Sequence, residues 1–159
     1  MFKSIILPIL GVVAFISLVG YFYKNPQKIN IPTPQKNVKI AEVDIPVELA
    51  DTNEKRTNGL SGKSSLEKES GMLFVFEKKV VAPTFWMKDM LIPLDIIWIG
   101  NGKIVKIDKN VPAPVAETPD TKLVNYSPGT PIDYVLEVNA GFSDKNNFKV
   151  GDSVDLSGI

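Results

Sequence analysis

The sequence predicts an α+β fold, mainly β: a partly closed antiparallel β-barrel with two short helices, preceded by one N-terminal transmembrane helix. Three observations lead there. An uncharged apolar run occupies residues 5–23. Beyond residue 38, short apolar segments of strand length alternate with Gly, Pro and Asn turn signals. Only two short stretches carry helix-start or helical-turn chemistry, which makes helix the minor component.

The first run, "IILPILGVVAFISLVGYFY", is bracketed by Lys3 and Lys24. A helix of that length spans roughly 28 Å, close to the hydrocarbon thickness of a bilayer. Pro8 lies in its first turns, where a missing N–H is tolerated. Tyr21, Phe22 and Tyr23 stand where an interfacial aromatic belt belongs. The rival reading is a cleaved signal peptide. Cleavage after Gly20 would put Leu18 where the peptidase prefers a small residue, so residues 1–23 are expected to be an uncleaved membrane anchor. The expected location is the membrane, single-pass, with the domain outside the cytoplasm. Lys24, Lys28, Lys36 and Lys39 count against export, although long domains translocate regardless of such charges. Residues 24–37 hold three prolines among polar neighbours and are expected to form a Pro-rich linker. A β-rich domain should follow over residues 38–159.

Within that domain, "VKIAEVDIPVELA" alternates as a strand, with Pro46 marking an edge or a bulge. Asp51 stands three residues before Glu54, in the manner of a capping box, and opens a short helix expected to stop between Gly59 and Gly62. Residues 71–76 read as a strand. Asn101-Gly102 between two apolar runs predicts a tight hairpin. Residues 111–131 hold several prolines and are expected to be a loop, of the length usually reserved for lids or binding. "PIDYVLEV" is another strand, and residues 139–156 read as a helical turn followed by a last short strand.

Composition excludes whole classes of chemistry. The chain has no cysteine and no histidine, which removes disulfides, thiolate nucleophiles, serine–histidine triads and the usual zinc sites. Eighteen basic residues balance eighteen acidic ones, so no global field favours nucleic acid, and no nucleic-acid partner is expected. No cofactor or metal is expected either. Any catalysis would fall to carboxylates, lysine, hydroxyls or the backbone.

The stretch "FWMKDMLIPLD", residues 85–95, places polar groups in an apolar run. Read as a strand, it puts Phe85, Met87 and Asp89 on one face and Trp86 and Lys88 on the other. Asp95, after the turn at Pro93, is expected to return to meet Lys88. One reading makes that pair a structural ion pair covered by Trp86. The other makes Trp86, Lys88, Asp89 and Asp95 the lining of a pocket for a small polar or anionic ligand, with Glu117 close by in the long loop. Weaker candidates are a serine–lysine dyad of Ser61, Ser64 or Ser65 with Lys88, a carboxylate pair for glycoside hydrolysis, and the carboxylates of Asp89, Asp95, Glu117 and Glu137 as ligands of a hard cation, for which no EF-hand spacing is present.

Several stretches together resemble the domain of unknown function 192 family, whose members are uncharacterised and often membrane-anchored or exported. They are Arg56 with Gly59-Leu60, residues 71–76, Phe85-Trp86-Met87-Lys88, Ile92-Pro93-Leu94-Asp95-Ile96, Glu117-Thr118-Pro119, residues 134–138 and Lys149-Val150-Gly151-Asp152. The resemblance covers about residues 45–156. The family usually shows asparagine and threonine where this chain has Asp89 and Met90, which replaces an amide donor by an acceptor. The resemblance implies a fold and a motif but no reaction. The expected function is a membrane-tethered binding or envelope-accessory module. The alternatives are an envelope hydrolase using carboxylate or lysine chemistry and a structural partner of another membrane protein, with the partner itself unidentified.

Overall fold

A computed structural model describes residues 36–81 and 83–159. The predicted anchor lies outside the described residues, as does nearly all of the linker. Among the described residues, no helix is long and apolar enough to cross a membrane.

The domain is a mixed α+β fold with a curled half-barrel sheet and two short helices. β1 (Lys36–Ile40) and β2 (Val43–Ala50) form an antiparallel hairpin, where the sequence suggested one strand. The turn rests on Ala41 at φ 52°, a left-handed conformation that alanine's residue type does not advertise. Pro46 lies just before the first β2–β3 pair, Val47 with Gly71, so its missing N–H interrupts no ladder bond there.

Helix α1 (Asn53–Asn58) starts at Thr52, whose hydroxyl accepts the Lys55 N–H at 3.2 Å. Thr52 is the N-cap in place of Asp51, which instead binds the Lys55 ammonium at 2.8 Å. Gly59, at φ 48°, ends the helix where expected. This helix and its flanking loops cross over to β3 (Gly71–Val80), which runs parallel to β2. The prediction of an all-antiparallel barrel is corrected here. Twenty residues separate β2 from β3, enough for a crossover where a tight hairpin would have forced antiparallel pairing.

The remaining strands are β4 (Phe85–Trp86), β5 (Leu94–Gly100), β6 (Lys103–Val111), β7 (Asn125–Tyr126), β8 (Ile132–Asn139) and β9 (Val154–Asp155). Helix α2 spans Phe142–Lys145. β5 and β6 meet in the predicted hairpin, with Asn101 and Gly102 both at positive φ, 54° and 67°. The long loop is more ordered than expected, since it contains a 3-10 turn at Asp120–Lys122 as well as β7.

The main sheet runs β6-β5-β8-β3-β2-β1-β9, and β4 pairs with β7 in a separate ribbon. Ile104 N–H donates to the Asp152 carbonyl at 2.9 Å, and Gly151 N–H donates to the Ile104 carbonyl at 2.8 Å. These bonds join the two outer edges of the curl at one end.

Both faces of the sheet are covered. Val38, Ile40, Leu73, Ile97 and Leu136 fill the inside of the curl together with Phe142 and Phe148. Met72, Phe74, Ile96, Trp98 and Val135 form the opposite face, under Leu60, Met87 and Met90. β5 is buried at every position, which is why its sequence after Asp95 reads as an apolar run without alternation. Gly71 is required at the β3–β8 contact, because a Cβ there would stand 2.6 Å from the Glu137 carbonyl oxygen.

Candidate functional site

The second apolar face carries the site. The turn that follows α1 and the segment Phe85–Met90 close over it and leave a cavity of about 560 Å³. Arg56, Ser61, Trp86, Lys88, Asp89 and Glu137 give it its polar character, and Phe74 and Phe85 give it apolar wall. Two bonds hold its lids together. The Ser61 hydroxyl donates to the Lys88 carbonyl at 2.9 Å, and Gly62 N–H donates to the Asp89 carbonyl at 2.9 Å.

The strand alternation read from the sequence holds for four residues and then breaks. Phe85 is half-buried and Met87 buried, while Trp86 is 47% exposed. Only Phe85 and Trp86 are strand, and Asp89 turns the chain at φ 56°. A positive φ is tolerated by aspartate better than by most residues, so the residue type suits a turn. The Lys88 ammonium lies 5.6 Å from the centroid of the Trp86 ring, an arrangement that places cation and indole together at the rim.

The Lys88–Asp95 pair does not form. Lys88 pairs instead with Asp120, at 2.5 Å, and that hydrogen bond holds its ammonium pKa above the ordinary lysine range. Both partners are substantially exposed, so the pair orients more than it stabilises. Asp95 is fully buried away from the cavity. Its Oδ1 accepts the N–H groups of Asn110 at 2.8 Å and Gly141 at 3.1 Å, and its Oδ2 accepts that of Ser143 at 2.8 Å. The carboxylate ties the end of β6 to the turn between β8 and α2. Glu117, at φ 62°, is exposed and lines a neighbouring hollow of about 310 Å³ with Lys88, Asp89 and Asp120.

Two residues were not placed in the site by the sequence. Asp120 is one, thirty-two positions from Lys88. Glu137 is the other. It lies on β8 between Met72 of β3 and Ile96 of β5, on the face that the cavity opens onto. It is 6% exposed, and burial alone pushes its carboxyl up to about 8. No hydrogen bond to that carboxyl is made among the described residues. The available signal was a single acid inside the apolar run "YVLEV", which marks either an edge position or a buried acid with a use.

Arg56 stands at the cavity wall on α1. It donates to the Val75 carbonyl at 2.7 Å and to Asn53 Oδ1 at 2.6 Å, and its guanidinium lies 5.7 Å from the Phe76 ring centroid. Two of its five N–H groups are used in those bonds.

The hydrolase candidates do not assemble. Ser61 is committed to a backbone carbonyl and Lys88 to Asp120, and among the described residues no serine hydroxyl bonds the Lys88 ammonium. Among the described residues, no group of three acidic side chains converges as a metal site.

No curated protein matches the chain. Solved structures that share the fold include the following two. One is a protein of Sinorhizobium meliloti 1021 described as a "putative transcription regulator", with 30% identity and a TM-score of 0.66, covering 79% of this chain and 95% of that one. The other is a protein of unknown function from Novosphingobium aromaticivorans, with 29% identity and a TM-score of 0.63, covering 75% of this chain and 83% of that one. The family model described as "Uncharacterized ACR" matches residues 36–156, nearly the whole described domain, and the chain therefore belongs to the DUF192 family.

Proposed function

We propose that this domain is a binding module, tethered to the membrane by residues 5–23 on the side away from the cytoplasm, that takes a small polar or anionic ligand in the cleft beneath Trp86 and Lys88. The observation that carries the reading is a cavity of about 560 Å³ whose rim is an exposed indole beside an ammonium and whose wall includes the unpaired Glu137 carboxyl. Exposed tryptophan offers a stacking face, and a carboxyl that opens onto the cavity without a protein partner favours a ligand that supplies one. Glu117 and Asp120 border the adjoining hollow and extend the polar rim. Asp95 acts in this reading as the support of the fold behind the site. The description of the Sinorhizobium protein as a regulator of transcription has no electrostatic counterpart here, given eighteen cations against eighteen anions.

The test is a panel of monosaccharides, amino acids and small carboxylates added to the full chain in non-ionic detergent. Binding is read from the Trp86 indole N–H resonance, with buried Trp98 as the internal control. Trp86→Ala, which lacks that reporter and is followed by titration calorimetry, should weaken a hit by about tenfold, corresponding to about 1.4 kcal/mol of lost contact. Lys88→Met should weaken an anionic hit with no change in the unfolding midpoint. A panel that leaves the Trp86 resonance unmoved throughout would overturn the reading.

The tether has its own check. Carbonate washing should leave the full-length protein in the membrane pellet, with protease reaching the domain only from the outer side. A soluble chain beginning near Tyr21 would contradict it.

A further inference from the structure

The nature of the ligand can be taken further, on the premise that the cleft is a binding site. We propose that the cleft takes a small carboxylate with an apolar body, the Glu137 carboxyl acting as hydrogen-bond donor and the free guanidinium N–H groups of Arg56 as the charged partner.

Three observations converge on this. Glu137 is more than nine-tenths buried, lines the cavity, and has no hydrogen-bond partner among the described residues. An acid in that setting is held neutral by burial, and a neutral carboxyl has an O–H to give. Its best acceptor is another carboxylate, since O–H···O⁻ bonds are the strong, charge-assisted kind. The second observation is charge. Arg56 and Lys88 bring two cations to the lining and Asp89 one anion, while Asp120 neutralises Lys88 from the neighbouring hollow, so with Glu137 neutral the charges balance and Arg56 is the cation that no carboxylate pairs among the described residues. The third is the apolar wall. Leu60, Phe74, Phe85 and Met90 suit a hydrocarbon or aromatic body better than a fully hydroxylated one.

The charged groups around Glu137 are few. Its strand neighbours Met72 and Ile96 carry no charge, so only Arg56 on α1 and Lys88 and Asp89 after β4 share its cavity. Arginine does not titrate in this range, and Lys88 is held charged by Asp120. Binding should therefore follow the proton on Glu137. With that carboxyl near 8, about 3% of the protein remains competent at about pH 9.5, so apparent affinity should fall roughly 30-fold from its value at about pH 6.

The experiment uses benzoate, benzamide and benzylammonium as probes of one shape and three charges, added to the full chain in non-ionic detergent and followed at the Trp86 indole. Benzoate is expected to bind most tightly of the three at about pH 6 and to weaken by at least about tenfold at about pH 9.5. Glu137→Gln, which keeps a donor at every pH, should remove that dependence and bind benzoate about tenfold more tightly than the wild type at high pH. Glu137→Leu should weaken benzoate at both ends of the range. Preference for benzylammonium, with binding that strengthens as pH rises, would overturn the carboxylate assignment and leave the binding cleft standing. Preference for benzamide would do the same. Failure of all three probes to move the Trp86 resonance would count against the cleft as well.

Discussion

Replacing Asp95 with alanine should cost about 3–5 kcal/mol of stability, because one buried and two part-buried N–H groups lose their acceptor at once. That is a large share of the stability of a domain this size. Water has little access to repair the loss, since Asp95 is fully buried on a strand buried at every position. Asp95→Asn keeps one oxygen and turns an amide donor toward the N–H groups served by the other, so an intermediate loss is expected. Urea unfolding at neutral pH measures both. A loss below about 1 kcal/mol for the alanine variant would show that the three bonds are individually replaceable. Lys88→Met should add nothing beyond its own effect in an Asp95→Ala background. Residues that share no partner behave additively, and these two carboxylate–cation candidates bind different groups.

The second large effect concerns Glu137 and pH. Its folded-state carboxyl lies near 8 and its ordinary value is 4.5, so between the two the folded protein keeps a proton that the unfolded chain releases. Stability is then highest at the acidic end of that window and falls as pH rises, by roughly 1.4 kcal/mol per unit. The whole shift corresponds to roughly 4–5 kcal/mol, lost by the time pH passes the folded value. Glu137→Gln and Glu137→Met should flatten the profile and exceed the wild type in stability above about pH 8. Denaturant unfolding at intervals from about pH 5 to pH 9 reads this directly. Parallel profiles for wild type and variants would mean that the carboxyl reaches water or a partner in the folded state.

Local chemistry decided what the sequence could announce. Asn101-Gly102 selected a two-residue hairpin because both residues accept positive φ, and Gly59 stopped α1 for the same reason. Period-two alternation put Trp86 and Lys88 at one rim, and lone polar residues in the 85–95 run pointed to the neighbourhood of the cleft. The balance of charge and the lack of histidine and cysteine narrowed the chemistry before any fold was known. Tertiary structure decided the partners. Alternation says which side of a strand a residue faces, and it is silent on which strand lies beside it or what covers that face. Sequence reasoning therefore pairs Lys88 with Asp95 from the same stretch, whereas the 3-10 turn in the long loop brings Asp120 to it. Asp95 found its acceptor role through N–H groups 15, 46 and 48 residues away, which no local pattern encodes. The parallel pairing of β2 with β3 depended on a crossover whose path is set by packing, not by propensity. Glu137 came to line the cavity only when α1 and the Phe85–Met90 segment closed over β8. Burial of a carboxyl is a property of its surroundings, and those surroundings come from three separate parts of the chain.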